Sequence, residues 1–354
     1  MSFPFVQPYF GLGNSLQTAQ ASGAGGAGGI GGWVELGRTT LGGTSSTITV
    51  SSLADKRYYM VLGTNIANSG GGTDASLRLG NSSVDTGSNY ASRISENGGG
   101  ESIATNRTNI RLNSSGASRH EFDIVYIANL SGKEKLVQGN SLINWVSGAG
   151  GDVHRKEIVG KWANTSNPID VIQRYFTSGA AQSGDEVVVL GWDPADTHTT
   201  NFWEELASVE WSSGGTIDTG AFTAKKYLWV QVQFKGNSGV YTRFNSDSGS
   251  NYMWRYNNNG GSDTTQTSIT GIHSNFGFDT NPHFVNMFII NNASNEKLVM
   301  SHLVTQNTAG AGNVSSRQEA SHKWANTSSQ ITSMQLVTGS GNFTGGLIKV
   351  WGSD

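Results

Sequence analysis

The sequence predicts an all-β protein: two tandem antiparallel β-sandwich domains, of jelly-roll or lectin-like type, behind an extended N-terminal arm. Three observations lead there. Charged residues are only 14% of the 354, while Gly alone accounts for 48 and Ser, Thr and Asn are abundant; such residues favour turns and caps over helix interiors. Apolar residues alternate with a period of two where they cluster, the mark of half-buried strands. The chain also repeats itself over most of its length, so one fold accounts for both halves.

Residues 1–32 form the arm. Phe3, Phe5, Val6, Tyr9 and Phe10 crowd its start beside Pro4 and Pro8. So many apolar side chains are costly to leave in water, and the segment reads as a docking peptide held by another protein. "ASGAGGAGGIGG" (21–32) follows and contains G-x-G-x-x-G at Gly23, Gly25 and Gly28. A dinucleotide site needs a strand before that pattern and a helix after it. Here the glycine run continues on both sides, and the tract reads as a flexible tether.

The repeat organises the remainder. "KWANTSNPID" (161–170) returns as "KWANTSSQIT" (323–332), "KEKLV" (133–137) as "NEKLV" (295–299), and "DTGSNY" (85–90) as "DSGSNY" (247–252), all at an offset of 162 residues. Arg93 then aligns with Arg255. Upstream the offset drifts: "KRYYMV" (56–61) matches "KKYLWV" (225–230) at 169, and "WVEL" (33–36) matches "WEEL" (203–206) at 170. Downstream, "VVVLGW" ending at Trp192 aligns with "LIKVWG" ending at Gly352. Collinear matches with small drifts mean a duplicated domain with loop insertions. The first domain runs from 33 to 193, a polar linker "PADTHTT" covers 194–200, and the second domain runs from 201 to 354.

Within each repeat the strands follow from period-two patterning. In "YLWVQVQF" (227–234), Leu228, Val230, Val232 and Phe234 share one face; in "HFVNMFII" (283–290), Val285, Met287 and Ile289 do. The counterpart "EFDIVYIA" begins at Glu121, and "EVVVLGW" (186–192) and "LIKVW" (347–351) read as closing strands. Gly/Asn/Ser/Asp clusters between them signal turns.

Composition excludes several functions. Net charge is −3 with a pI near 6.2 and no Lys/Arg-rich run, so nucleic acid is not an expected partner. The absence of cysteine removes disulfides, thiolate metal sites and thiol catalysis. No apolar run approaches the roughly 20 residues of a membrane-spanning helix, and no membrane insertion is expected. The start of the chain lacks the charged and apolar regions of a secretion signal, so synthesis and assembly in a cytoplasm are the expectation. The N-x-S/T triplets at Asn81, Asn113, Asn164 and Asn326 then follow from composition.

The repeated Asp-Thr/Ser-Gly carries the sharpest chemical question. One copy per half is the pattern of an aspartic protease, in which Asp85 and Asp247 would share a proton. Against it, the lead-ins "GNSSV" and "RFNS" are polar, and Arg93 and Arg255 follow each Asp by eight residues. A structural turn fits better: Asp85 opens it, Gly87 supplies a positive φ, Asn89 bonds its own backbone and Tyr90 re-enters a strand. Asp247, Gly249, Asn251 and Tyr252 repeat that pattern. Calcium binding through Asp85 and Asn89, or Asp247 and Asn251, would begin with two oxygen donors where six to eight are needed. The seven histidines show no metal-ligand spacing. No catalytic residue, metal or cofactor is therefore expected, and the protease stands as a remote alternative. Tyr252, Trp254 and Trp211 are candidate contacts for a glycan; Trp33, Trp162, Trp192, Trp324 and Trp351 read as packing residues.

"RFNSDSGSNYMWR" (243–255), the "KWANTS" segment and the closing G-x-G-x-F…I-x-V-W-G (339–352) resemble β-sandwich domains of tailed-bacteriophage accessory virion proteins, found in minor capsid, head-decoration, fibre-head and tail-associated roles. The likeness covers both repeats. The first departs from it: "RLGNSSVDTGSNYASR" has three extra residues before the Asp and lacks the aromatic at Ser92. The resemblance implies a non-enzymatic virion component that forms a homo-oligomer, a trimer above all. Residues 1–32 would anchor it to another capsid or tail protein, and two sandwiches would project outward. The alternative it leaves is a reader of host-surface glycans.

Overall fold

Alternating apolar residues become strands and the Gly/Asn/Ser clusters become the turns between them. The computed structural model describes residues 32–354 except 67–73, 114–119, 178, 195, 199, 237–238, 274–280 and 307–308. The arm, with Phe3, Phe5, Val6, Tyr9, Phe10 and the tether up to residue 31, lies outside the described residues.

Repeat one contributes β1 (Val34–Thr40), β2 (Thr47–Val50), β3 (Tyr58–Asn65), β4 (Ala75–Asn81), β5 (Ser83–Val84), β6 (Tyr90–Glu96) and β7 (Glu101–Arg107). It continues with β8 (Ile110–Arg111), β9 (Glu121–Ala128), β10 (Lys135–Asn144), β11 (Val153–Trp162), β12 (Val171–Phe176) and β13 (Glu186–Trp192). Repeat two contributes β14 (Glu204–Trp211), β15 (Thr216–Asp218), β16 (Tyr227–Lys235), β17 (Val240–Phe244), β18 (Tyr252–Asn258) and β19 (Thr264–Ile269). It closes with β20 (Ile272–His273), β21 (Pro282–Ile290), β22 (Lys297–Thr305), β23 (Ser316–Trp324), β24 (Met334–Thr338) and β25 (Gly346–Ser353).

These strands form four antiparallel sheets. Each repeat has an eight-stranded sheet, β1-β13-β3-β9-β10-β11-β6-β7 and β14-β25-β16-β21-β22-β23-β18-β19. Each has a smaller partner, β2-β12-β4-β5 with β8 beside β4, and β15-β24-β17-β20. Strand β5 has no counterpart in repeat two; it is built from the three extra residues before Asp85. Each large sheet shares an apolar core with its own small sheet. Tyr59, Val61, Ile127 and Val189 meet Ile48, Leu77 and Ile172 in repeat one, and Leu228, Val230, Met287 and Val350 meet Phe244, Met334 and Leu336 in repeat two.

The strand register corrects one alignment. β1 pairs Val34 with Gly191, and β14 pairs Glu204 with Gly352, so Gly191 rather than Trp192 is the counterpart of Gly352. The glycine has a packing reason. A Cβ on Gly191 would stand 2.5 Å from Leu36 and 2.7 Å from Lys56, and one on Gly352 would stand 2.6 Å from Leu206 and 2.8 Å from Lys225.

A half-buried strand should leave its second face in water. Here the second faces of the two large sheets pack against each other. Met60, Leu62, Phe122, Ile124 and Leu142 of repeat one form one apolar layer with Tyr227, Trp229, Phe288, Met300 and Trp351 of repeat two. Trp229 stacks on Phe288 (centroids 5.8 Å, 9°) and lies 4.9 Å from Trp351. Several polar groups at the margin of this seam pair across it. Tyr227 and Lys226 donate to Glu186 at 2.8 and 3.0 Å, Arg155 reaches Asp263 at 2.7 Å, and Arg255 reaches Asp152. Residues between the repeats are also held down: Lys56 pairs with Asp196 at 2.6 Å, and Asp193 accepts the Arg57 N–H at 2.9 Å.

One duplicated ion pair reports directly on the seam. Glu134 and Lys161 pair at 2.7 Å with side chains 39% and 45% exposed. Their counterparts Glu296 and Lys323 pair at 3.3 Å with 8% and 0% exposed. There Asn144 of repeat one donates to Glu296 at 2.6 Å and accepts from Lys323 at 3.0 Å. An exposed pair contributes about 0–1 kcal/mol, whereas losing one partner of a buried pair costs about 3–5 kcal/mol because the other charge stays unpaired. Glu134→Ala is accordingly expected to change unfolding free energy by under about 1 kcal/mol, and Glu296→Ala by about 3 kcal/mol or more. Urea unfolding of both variants checks this; equal losses would show that the seam does not bury Lys323.

Candidate functional site

The two Asp turns are built alike. Asp85 Oδ1 accepts the Gly87 N–H at 2.8 Å, and its Oδ2 accepts from Asn89 Nδ2 at 2.8 Å and Trp162 Nε1 at 2.7 Å. Asp247 accepts from Gly249 N at 2.8 Å, Asn251 Nδ2 at 2.9 Å and Trp324 Nε1 at 2.7 Å. The tyrosine that ends each turn points into the core. Tyr90 accepts the Leu79 N–H at 3.1 Å and donates to the carbonyls of Leu79 and Asp85, both at 2.9 Å. Tyr252 accepts the Phe244 N–H at 3.0 Å and bonds the Asp247 carbonyl at 3.1 Å.

Every partner of each carboxylate belongs to its own repeat, so the geometry is that of two separate turns and contains no shared proton. Burial pushes both carboxyl groups up, but the Trp, Asn and Gly N–H donors together outweigh it and hold them below the usual carboxylate value. A dyad would split its two values, one being raised. The amide nitrogens of Asn89 and Asn251 face the carboxylates, which leaves no oxygen pair there for calcium. Among the described residues, no three His, Cys, Asp or Glu side chains gather as a metal group.

The role expected of Gly87 and Gly249 needs correcting. Neither has a positive φ, while twelve other glycines among the described residues do. The constraint is close approach: a Cβ on Gly87 would lie 2.9 Å from Asn89 Nδ2, and one on Gly249 would lie 2.8 Å from Asn251 Nδ2. Glycine is needed so that the Asn amide can close onto the Asp. The Asn89 and Asn251 side chains bond that carboxylate, and it is their backbone N–H groups that bond Gly87 and Gly249 at 2.8 Å.

The aromatic candidates are committed to packing. Tyr252 and Trp254 are 0% and 3% exposed and present no open ring face to a sugar. Trp254 stacks on Tyr256 (3.9 Å, 16°) and His273 (4.3 Å, 16°), and its Nε1 donates to Gln266 at 2.8 Å. Burial pushes the His273 imidazole down to about 4, so this stack is neutral at physiological pH. Trp211, half-buried, meets Phe343 edge-on at 5.7 Å. Trp162 and Trp324 hold the Asp turns, and Trp33 and Trp351 belong to the seam. Sequence reasoning passed over the place in repeat one that corresponds to Trp254. Its one signal was Ser92, where an aromatic would match the other repeat.

No family model matches the chain, and no curated protein sequence does. Among solved structures it is similar to human GIVD cytosolic phospholipase A2 at 7% identity, over 77% of this chain and 33% of that one, with a TM-score of 0.11. The chain thus spans about a third of that structure's length, and a likeness this low carries no argument.

The turns carry a pH signature. A carboxyl whose folded value is depressed lends stability that is complete above its unfolded value near 4 and disappears as pH falls through the folded value. Asp85→Asn and Asp247→Asn are expected to lower the melting temperature at neutral pH and to flatten its decline on acidification below about pH 4. Melts between pH 7 and pH 2 test this; an unchanged slope would show that the carboxylates are not held by Trp162 and Trp324.

Proposed function

We propose that the chain is a non-enzymatic structural protein of a bacteriophage particle: two lectin-like β-sandwiches locked back to back, tied to a capsid or tail partner through residues 1–32. The resemblance supplies the setting. The observation that carries the assembly part is the unequal use of two equivalent sheet faces. Repeat two covers Phe122 and Leu142 of repeat one, each 1% exposed, while their counterparts Phe284 and Val304 are 41% and 40% exposed. Repeat one covers Leu298 of repeat two, 0% exposed, while its counterpart Leu136 is 59% exposed with Val159 beside it at 48%.

Each block therefore leaves uncovered a part of the face equivalent to each half of its seam: Phe284 and Val304 on repeat two, and Leu136 on repeat one. The occupant that fits them is a second copy of this chain, with the Phe284/Val304 patch of one meeting the Leu136/Val159 patch of the next. A contact between unlike patches is heterologous and forms a ring where its rotation closes; a trimer is the closed case that the resemblance implies.

Two experiments test the reading. Sedimentation of the full chain should show a concentration-dependent oligomer that Leu136→Glu and Phe284→Glu each abolish. Mixing the two variants should restore a heterodimer, because one intact contact remains; a strictly monomeric wild type would refute the self-association. Deleting residues 1–32 should remove the protein from particles while leaving its melting temperature within about 2 °C, a shift on the order of 1.5 kcal/mol or less for a chain of this size. Unchanged incorporation would refute the anchor.

A further inference from the structure

The duplication supplies an internal reference for one cavity. In repeat two, Tyr241 on β17 packs edge-on against His273 on β20 at 4.4 Å, and His273, Trp254 and Tyr256 continue as a stack. This aromatic plug fills the flank between the large and small sheets. The registers identify its counterparts in repeat one. Trp254 pairs with Gln266 as Ser92 pairs with Ala104, and Tyr241 pairs with His273 as Ser76 pairs with Arg111. Ile94 stands in for Tyr256 at the offset of 162 residues.

The backbone of the two flanks is shared. Each has a β-bulge at the same place on its β6–β7 or β18–β19 pair. Asn106 and Ser268 are counterparts and both take a left-handed φ, 51° and 54°. Only the side chains differ. Repeat one replaces four aromatic rings with two serines, an isoleucine and an arginine, and the space stays open as a cleft of about 410 Å³. That volume lies within the range of small-molecule sites.

The lining has a definite chemistry. Arg107 and Arg111 stand in the cleft, exposed, and neither forms an ion pair among the described residues. Arg111 spends its Nε on the Asn113 carbonyl at 3.3 Å, which leaves its two terminal nitrogens for a ligand. Ser76, Ser92, Thr108 and Asn109 add hydroxyl and amide groups, and Asp74 adds a carboxylate acceptor. Ile94 and Ile103, the latter 62% exposed, supply an apolar strip. Paired guanidinium groups suit a carboxylate, and short hydroxyl and amide side chains suit a polyol. We infer that this cleft binds an acidic sugar, a uronic or sialic acid. Arg107 and Arg111 hold its carboxylate, Asp74 and the Ser, Thr and Asn side chains hold its hydroxyls, and Ile94 and Ile103 lie against its ring.

The experiment is a ligand-observed NMR and calorimetric titration of the full chain with N-acetylneuraminic acid and glucuronic acid, with glucose as the neutral control. At least one acid should bind, and at least tenfold more tightly than glucose. Ser92→Trp rebuilds the plug of repeat two and should abolish binding, and Arg111→Ala should weaken it at least tenfold at an unchanged melting temperature. If Ser92→Trp proves unstable, Arg107→Ala and Arg111→Ala decide the matter by themselves. Failure of both acids to bind, or binding that neither arginine variant affects, would overturn the assignment.

Discussion

The face-to-face contact between the two eight-stranded sheets is the constraint on which the rest of the molecule depends. A β-sandwich ordinarily buries one face of each sheet and wets the other. Here Trp229, Phe288, Met300 and Trp351 on the far face of repeat two need cover, and Met60, Leu62, Phe122 and Ile124 of repeat one supply it. Apolar contact of this kind is non-directional, so the margin has to set the register. Glu186 with Lys226 and Tyr227, Arg155 with Asp263, Arg255 with Asp152, and Asn144 with Glu296 and Lys323 do so. Charges this poorly hydrated lose heavily if mispaired, which favours one docking over its neighbours.

Duplication makes the effect of environment visible, because the same residue pair appears twice under different cover. Glu134–Lys161 sits in water and Glu296–Lys323 in the seam. Arg93 holds an exposed Glu101, while its counterpart Arg255 crosses to the other repeat. The cores diverge too. Arg174, 2% exposed, pairs with Glu121 at 2.8 Å and Asp123 at 2.6 Å. Repeat two has Leu336, His283 and Val285 at those positions, and His283 stacks on Phe234 at 4.9 Å. One fold thus tolerates a buried ion cluster or an aromatic and aliphatic filling, provided that volume and pairing are both satisfied.

The Asp turns show how far local chemistry reaches. Asp-x-Gly-x-Asn is legible as a turn, since Asp and Asn bond short stretches of backbone and Gly removes a steric limit. The donor that completes the turn is less so: Trp162 lies 77 residues after Asp85, as Trp324 does after Asp247. The repeated "DTGSNY" and "KWANTS" segments are therefore two sides of one hydrogen-bonded corner, and the tyrosine hydroxyl ties that corner to the small sheet.

The sequence by itself determined the all-β class, the duplication, the main turn clusters and the bounds of a few long strands, among them Glu121 as the start of β9 and Glu186–Trp192 as β13. These rest on period-two alternation and on turn residues, both readable within about ten residues. Tertiary structure alone decided that Tyr227 and Trp229 are buried on the face opposite Leu228 and Val230, and that Trp254 is a plug. It alone decided that Gly87 serves close approach and that Ser92 opens a cleft. Each of these depends on which side chains arrive from strands far away in the chain, and alternation specifies two faces without specifying what covers the second.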